Sequence, residues 1–121
     1  LLITHDLGVV AQLADDVAVM YLGRIVERGP VRGIMKSPRH PYTQGLLKSL
    51  PSLAPKRAHL PSIEGSVPSL TEVPSGCPFH PRCPHAQPGL CDAGSPPPLE
   101  TVGDDRMAAC VRLKDLEVNH D

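Results

Sequence analysis

Residues 1–6 read L-L-I-T-H-D, and this stretch decides how the first part of the chain folds. The run from Leu1 to Thr4 is short, apolar and β-forming, which predicts a buried strand. His5 and Asp6 follow directly, and polar side chains at the carboxyl end of a buried strand are how open α/β sheets present chemistry to a ligand. Natural chains rarely begin in mid-strand without an initiator Met. We therefore expect the whole 121-residue chain to be the last part of a longer protein.

The next residues predict a helix and a β-hairpin. Residues 7–14 carry apolar side chains at helical spacing, and Asp6 is suited to cap that helix. Residues 17–22 and 24–28 read as two strands joined by a tight turn at Gly23. The second strand is the more polar of the two, so we expect it at the edge of the sheet.

Two more helices are predicted before the chain changes character. One covers residues 31–36, and the other opens at His40-Pro41 and ends before Pro51. His40 is interpreted as a residue that sets the start of this helix. The order strand, helix, strand, strand, helix, helix is typical of the end of an α/β domain.

The remainder of the chain is rich in proline. Of 15 Pro residues, 12 lie between Pro51 and Pro98, and the chain has only three aromatic residues. Such a segment supports few regular elements and must be held by something other than a large apolar core. We expect one further strand around residues 108–113, which would bring Cys110 back to the other cysteines.

The overall charge and hydropathy of the chain give no signal for nucleic-acid binding or for a membrane span. The net charge is −1 with acids and bases mixed, which gives no electrostatic footprint for nucleic acid. No apolar run approaches the length of a membrane span.

Four cysteines form the second candidate site. Cys77, Cys83, Cys91 and Cys110 follow the spacing C-x5-C-x7-C-x18-C. This spacing lacks the close pairs of zinc fingers and differs from the run found in bacterial ferredoxins. It identifies four candidate thiolate ligands without naming a metal, and two disulfides would suit the even count equally well. His80 and His85 lie among them and are competing candidate ligands.

Three stretches together resemble one family. Residues 1–29 are similar to the region around the switch histidine in ATP-binding subunits of ABC transporters. R-H-P-Y-T-Q-G-L-L at 39–47 and G-C-P-F-H-P-R-C-P at 76–84 resemble the C-terminal extension of the oligopeptide/dipeptide importer branch. Tripeptides such as T-H-D occur by chance, but the three stretches in this order are highly specific.

The resemblance implies an α/β fold. Residues 1–50 would be the C-terminal remnant of a P-loop NTPase (RecA-like) nucleotide-binding domain. Residues 51–121 would be a Pro-rich, irregular extension carrying the four cysteines. His5 would be the switch histidine that contacts the γ-phosphate of ATP and helps to position the attacking water. The alternative for His5 is a histidine that caps the next helix or hydrogen-bonds within a packed loop.

The cofactors implied for the intact protein are ATP and Mg²⁺. The Gly-rich phosphate loop and the catalytic carboxylate strand of the family have no counterpart in these 121 residues. A P-loop NTPase needs both, so this chain alone should neither bind ATP usefully nor hydrolyse it.

The resemblance also implies partners and a location. The partners would be the transmembrane permease subunits and a second ATP-binding subunit, with no nucleic acid. The protein would lie at the cytoplasmic face of the plasma membrane without a span of its own.

The resemblance further implies a [4Fe–4S] cluster at the four cysteines, with zinc as the alternative and free or oxidised thiols as a third possibility. Two rival functions remain open, namely a stand-alone metal-binding module and a protein-docking extension in which the cysteines are incidental.

Overall fold

The computed structural model describes residues 1–4, 7–48, 67, 69–103 and 105–112. His5 and Asp6 lie outside the described residues, so the structure does not test the roles predicted for them. The described elements are α1 (Leu7–Leu13), β1 (Asp16–Tyr21), β2 (Arg24–Pro30), α2 (Val31–Lys36), α3 (Pro41–Lys48), a 3₁₀ turn (His80–Arg82), β3 (Glu100–Gly103) and β4 (Arg106–Ala108).

The predicted α/β class is confirmed in its coarse form, as a small domain built on an antiparallel sheet. The strand order is β1-β2-β4-β3. Every neighbouring pair in this sheet is antiparallel. Strands β3 and β4 come from the last quarter of the chain, so the sheet joins residues that are far apart in sequence.

The β1–β2 hairpin is confirmed, together with its tight turn. Tyr21 pairs with Arg24 across the turn. Leu22 and Gly23 between them have φ angles of 48° and 77°. Two successive positive φ values give a turn whose twist matches that of the flanking strands, which favours a two-residue connection.

The prediction that the second hairpin strand lies at the sheet edge is wrong. β2 is an inner strand, because β4 pairs with it through Glu27 opposite Ala108 and Arg28 opposite Met107. The edge position belongs to β1. The polar character of β2 misled the prediction, since Glu27 is fully buried.

The buried strand predicted for residues 1–4 is also not observed. These residues have no strand assignment and are exposed; the exposed fraction of Ile3 is 88%. A short apolar segment becomes a buried strand only when neighbouring strands pair with it, and the described strands pair only with one another.

The predicted second and third helices are confirmed as α2 and α3. Pro30 precedes α2 and Pro41 is the first residue of α3. The prediction for the end of α3 reaches Leu50 and Pro51, which lie outside the described residues. Among the helices in the described ranges, none combines the length and the apolar character that crossing a bilayer requires.

The core contains residues from both halves of the chain. Its buried members are Val19, Tyr21, Val26, Ile34 and Phe79. All three aromatic residues meet there: the ring centroid of Tyr21 lies 4.7 Å from that of Tyr42 and 5.2 Å from that of Phe79, both edge to face. Aromatic pairs in this geometry stabilise a fold beyond their area burial. Phe79 therefore anchors the cysteine-rich segment on the hairpin.

The strand predicted around residues 108–113 is present but lies slightly earlier, as β4 (Arg106–Ala108). The Ala109 N–H donates to the Val26 carbonyl at 2.8 Å, which extends the contact with β2. The division of the chain into residues 1–50 and 51–121 stays a prediction.

Candidate functional site

Four thiols line one cavity, although their positions span 34 residues of sequence. We call it the thiol cavity; its lining includes Cys77, Cys83, Cys91, Cys110, His40 and Phe79. All four cysteines are free, with no disulfide between them. The predicted return of Cys110 to the other three cysteines is confirmed.

Local turns hold the first three thiols in place. Cys77 and Cys83 flank the 3₁₀ turn, and the Cys83 N–H donates to the His80 carbonyl. The Cys77 N–H donates to the Cys91 carbonyl at 2.9 Å, which ties two loops together. The Cys91 N–H in turn donates to the Gln87 carbonyl at 2.9 Å. Cys110 lies two residues after the end of β4 and directly follows Ala109, whose N–H donates to β2.

Replacing Gly76 by alanine should disrupt this arrangement. Gly76 has a φ of +69°, and a Cβ there would lie 2.5 Å from the Cys91 carbonyl oxygen and 2.8 Å from the Ala93 nitrogen. We expect a loss of about 2–5 kcal/mol in the free energy of unfolding, from left-handed strain plus overpacking. Urea denaturation would measure it.

Gly89 is the matched control, since its φ is +83° but nothing lies within 4 Å of the added Cβ. Gly89→Ala should carry only the left-handed strain of about 1–2 kcal/mol. Equal losses for the two variants would show that the two loops do not pack as closely as described.

Main-chain N–H groups point at the thiol sulfurs. The His85 N–H donates to Cys83 Sγ at 3.4 Å, and the Arg112 N–H donates to Cys110 Sγ at 3.4 Å. The Gln87 N–H donates to Cys91 Sγ at 3.3 Å. Cys77 also receives a main-chain contact, from the N–H of Phe79 two residues ahead. N–H donors of this kind stabilise sulfur when it carries negative charge.

Burial raises the pKa of three of the cavity thiols. Burial raises the pKa of Cys83 and of Cys110 to about 11, and the neighbouring thiols raise it further, while the main-chain N–H donors oppose the shift. Burial likewise raises the pKa of Cys77. A thiol with a raised pKa is a poor nucleophile at neutral pH, so Cys77, Cys83 and Cys110 do not fit the role of a catalytic cysteine.

A finished metal-ligand set is not formed by the residues that the structure describes. Within the described ranges, no group of three or more His, Cys, Asp or Glu side chains is arranged so that it could hold a metal ion. The thiol cavity encloses about 10 Å³, which is about the space of one water-sized occupant. The four thiols thus line one cavity, but their sulfur atoms do not converge on a single position that could hold a metal ion.

The buried carboxylate of Glu27 fixes the position of the HPYT segment (residues 40–43) beside the cavity. The two Glu27 oxygens accept from the Arg39 N–H at 3.1 and 2.9 Å, and Oε1 accepts from the His40 N–H at 2.9 Å. The Arg106 guanidinium pairs with Glu27 Oε2 at 3.1 Å. Arg106 also donates to the Ser37 carbonyl. One carboxylate therefore links β2, β4 and the start of α3.

The interpretation of His40 as the residue that starts α3 is confirmed. Its Nδ1 accepts from the Tyr42 N–H at 3.0 Å, which satisfies one of the free donors at the helix N-terminus. The ring is fully buried and packs on Phe79 with centroids 5.9 Å apart. His80 and His85 also line the thiol cavity.

The structure thus brings together the predicted cysteines and leaves His5 outside the described residues. Glu27 and the cavity position of His40 were missed. The only sequence signal for Glu27 was a lone acid inside a predicted strand, and its partner Arg106 is 79 residues away.

Taken together, the fold and the site define a small α/β domain in which a hairpin, an H-P-Y-T helix start and a cysteine-rich loop share one core. The sequence model of the family described as "Oligopeptide/dipeptide transporter, C-terminal region" matches residues 26–91. This range covers more than half of the chain. The chain belongs to that family.

Curated relatives match over nearly the whole chain. The oligopeptide transport ATP-binding protein OppD of Salmonella typhimurium is 46% identical over 93% of this chain and 32% of its own length. The dipeptide transport ATP-binding protein DppD of Bacillus subtilis is 46% identical over 99% of this chain and 35% of its own length. The chain therefore spans about a third of the length of the curated relatives it matches.

Proposed function

We propose that this chain is the C-terminal part of the ATP-binding subunit of a bacterial ABC importer for peptides or related solutes. The observation that carries the proposal is the family match over residues 26–91, which includes both the H-P-Y-T helix start and the first three cysteines. The relatives named as oligopeptide and dipeptide transport ATP-binding proteins support it.

In this proposal, residues 1–50 complete a RecA-like ATPase domain and residues 51–121 form its extension. ATP with Mg²⁺ is the substrate of the whole subunit. A pair of such subunits works at the cytoplasmic face of the membrane and drives the permease subunits. His5 donates a hydrogen bond to the terminal phosphate, an interaction that strengthens as charge builds in the transition state.

Replacing His5 by alanine in the full reading frame that contains this chain tests the proposal. We expect ATP hydrolysis to fall about 10²–10³-fold, as when one preorganised transition-state donor is removed. ATP binding should change much less, since the phosphate loop carries it. Steady-state hydrolysis and equilibrium nucleotide binding measure the two effects.

Asp6→Ala is the neighbouring control. Because Asp6 is predicted to cap a helix, this substitution should lower the free energy of unfolding by about 0.5–2 kcal/mol. It should leave the rate of ATP hydrolysis nearly unchanged. A reading frame without a Gly-rich phosphate loop upstream of Leu1, or full hydrolysis in His5→Ala, would contradict the assignment.

A second function, metal binding by the four cysteines, is favoured by the shared thiol cavity. Four soft sulfur donors suit an iron–sulfur cluster or Zn²⁺ and do not suit Ca²⁺ or Mg²⁺. Each thiol has a main-chain N–H donor that would stabilise it as a thiolate. The donor types present therefore suit a thiolate-bound group, and the four side chains would have to move closer together to bind it. When bound, the group would cross-link the Cys77, Cys83 and Cys91 loops to the end of the sheet at Cys110.

Thiol alkylation separates this function from incidental cysteines. In protein isolated without oxygen, metal-bound thiolates should react slowly until a strong chelator is added, because ligation occupies the sulfur lone pairs. The docking alternative predicts that the four cysteines alkylate at the same rates with and without the chelator.

A further inference from the structure

One polar atom beside the thiol cavity has no partner. His40 lines the cavity and its ring is 1% exposed. Its Nε2 is buried and makes no hydrogen bond to any residue that the structure describes. Burial lowers the pKa of His40 to about 4, and the backbone of Ala109 beside the ring partly offsets this shift. A buried polar group without a partner costs about 1–3 kcal/mol.

The contacts of the other ring nitrogen determine what this atom can do. Nδ1 accepts a hydrogen bond from the Tyr42 N–H, so Nδ1 carries no proton. The proton of the imidazole is therefore on Nε2. The unpartnered atom is therefore a donor, and in this tautomer it is not a metal ligand, because ligation uses an unprotonated nitrogen.

The fold holds this donor firmly in place. The His40 N–H is anchored on Glu27, and Glu27 is anchored on Arg106 of β4. The ring packs against Phe79, which lies between Cys77 and Cys83 in sequence. The donor is therefore preorganised, and the cavity that His40 lines is also lined by the four cysteines.

We propose that the Nε2–H of His40 donates a hydrogen bond to a cysteine sulfur of the metal-loaded thiol cavity and so acts as a positioning residue for that site. This inference rests on the proposed metal binding. Protonated thiols are weak hydrogen-bond acceptors. Thiolates bound to a cation keep net negative charge on sulfur, and outer-shell donors to such ligands orient them and tune the site.

The test uses the whole 121-residue chain and Co²⁺ as the probe, since thiolate-bound Co²⁺ absorbs in the visible region. His40→Phe keeps an aromatic ring against Phe79 and removes the donor. His40→Gln keeps an N–H near the position of Nε2. Co²⁺ affinity is measured by competition with a chelator, together with the position of the sulfur-to-cobalt charge-transfer band.

We expect His40→Phe to bind Co²⁺ about 10–100-fold more weakly, with its charge-transfer band at lower energy because the sulfur has lost a donor. His40→Gln should recover most of the affinity and the band position. Wild-type affinity and an unshifted band in His40→Phe would overturn the inference and leave metal binding intact. Equal losses in both variants would also overturn it, since loss of packing would then explain the effect.

A wild-type measurement keeps the test valid if His40→Phe fails to fold. In ¹⁵N-histidine protein loaded with ¹¹³Cd²⁺, the Nε2 proton should show scalar coupling to cadmium through the N–H···S bond. A protonated Nε2 without such coupling would overturn the inference. The absence of any thiolate absorption in the wild-type Co²⁺ titration would instead overturn the proposed metal site, and the two failures are thereby distinguished.

Discussion

Glu27→Ala is expected to lower the free energy of unfolding by about 3–5 kcal/mol, the cost of leaving one partner of a buried ion pair alone. Four hydrogen bonds end on this carboxylate, from the main chain of Arg39 and His40 and from the side chain of Arg106. Because the carboxylate is fully buried, water cannot replace it as an acceptor. Small domains have only about 5–15 kcal/mol in total, so the variant should lose a large share of its free energy of unfolding.

Urea denaturation of three variants would measure the effect. Glu27→Gln should lose less than Glu27→Ala, since its amide oxygen can still accept from the His40 N–H. Glu72→Ala changes an exposed glutamate and should stay within about 0.5 kcal/mol of the wild type. A loss below about 1 kcal/mol for Glu27→Ala would show that β2, β4 and the HPYT segment are not held through this side chain.

Cys83→Ser is expected to weaken metal binding by more than the 10–100-fold that follows loss of an outer-shell contact. When the ligands come together only in the folded protein, the free energy of metal binding adds to the free energy of folding. The segment from Val73 to Cys110 should therefore lose protection in limited proteolysis and hydrogen exchange. The hairpin should lose less, because its β1–β2 pairing does not depend on the thiols.

Ser75→Ala is the matched control for the cysteine variant. Ser75 Oγ donates to the Asp92 carbonyl at 2.6 Å, so this change removes a bond between the loops that carry Cys77 and Cys91 while all four thiols stay. Ser75→Ala should lower the free energy of unfolding by about 0.5–1.5 kcal/mol and leave the metal affinity close to that of the wild type. Equal protease resistance in Cys83→Ser and wild type would contradict a structural metal.

Local signals in the sequence were sufficient for the local elements. Gly23 identified the hairpin turn, because a two-residue connection needs positive φ values and glycine provides one at low cost. Prolines marked the starts of α2 and α3. These features depend on neighbours in sequence, so a single sequence carries them.

Features that depend on distant partners were not predictable in the same way. The inner position of β2 follows from Arg106, which neutralises Glu27 from 79 residues away. Residues 1–4 are exposed because none of the described strands pairs with them, and a hydrophobic pattern in the sequence does not show whether a strand has a partner. The four cysteines were an intermediate case, because their number indicated a shared site while their spacing named no metal.

Metal and sulfide analysis of the wild-type protein, isolated without oxygen, tests the central claim most directly. Metal bound in a fixed ratio to the protein and released by a chelator, together with four thiols that alkylate only after that release, is the predicted result. Iron with acid-labile sulfide and visible absorption would identify a cluster, and colourless stoichiometric zinc would identify a mononuclear site. Metal-free protein with four thiols that alkylate at once, and that takes up neither metal on reconstitution, would contradict the claim.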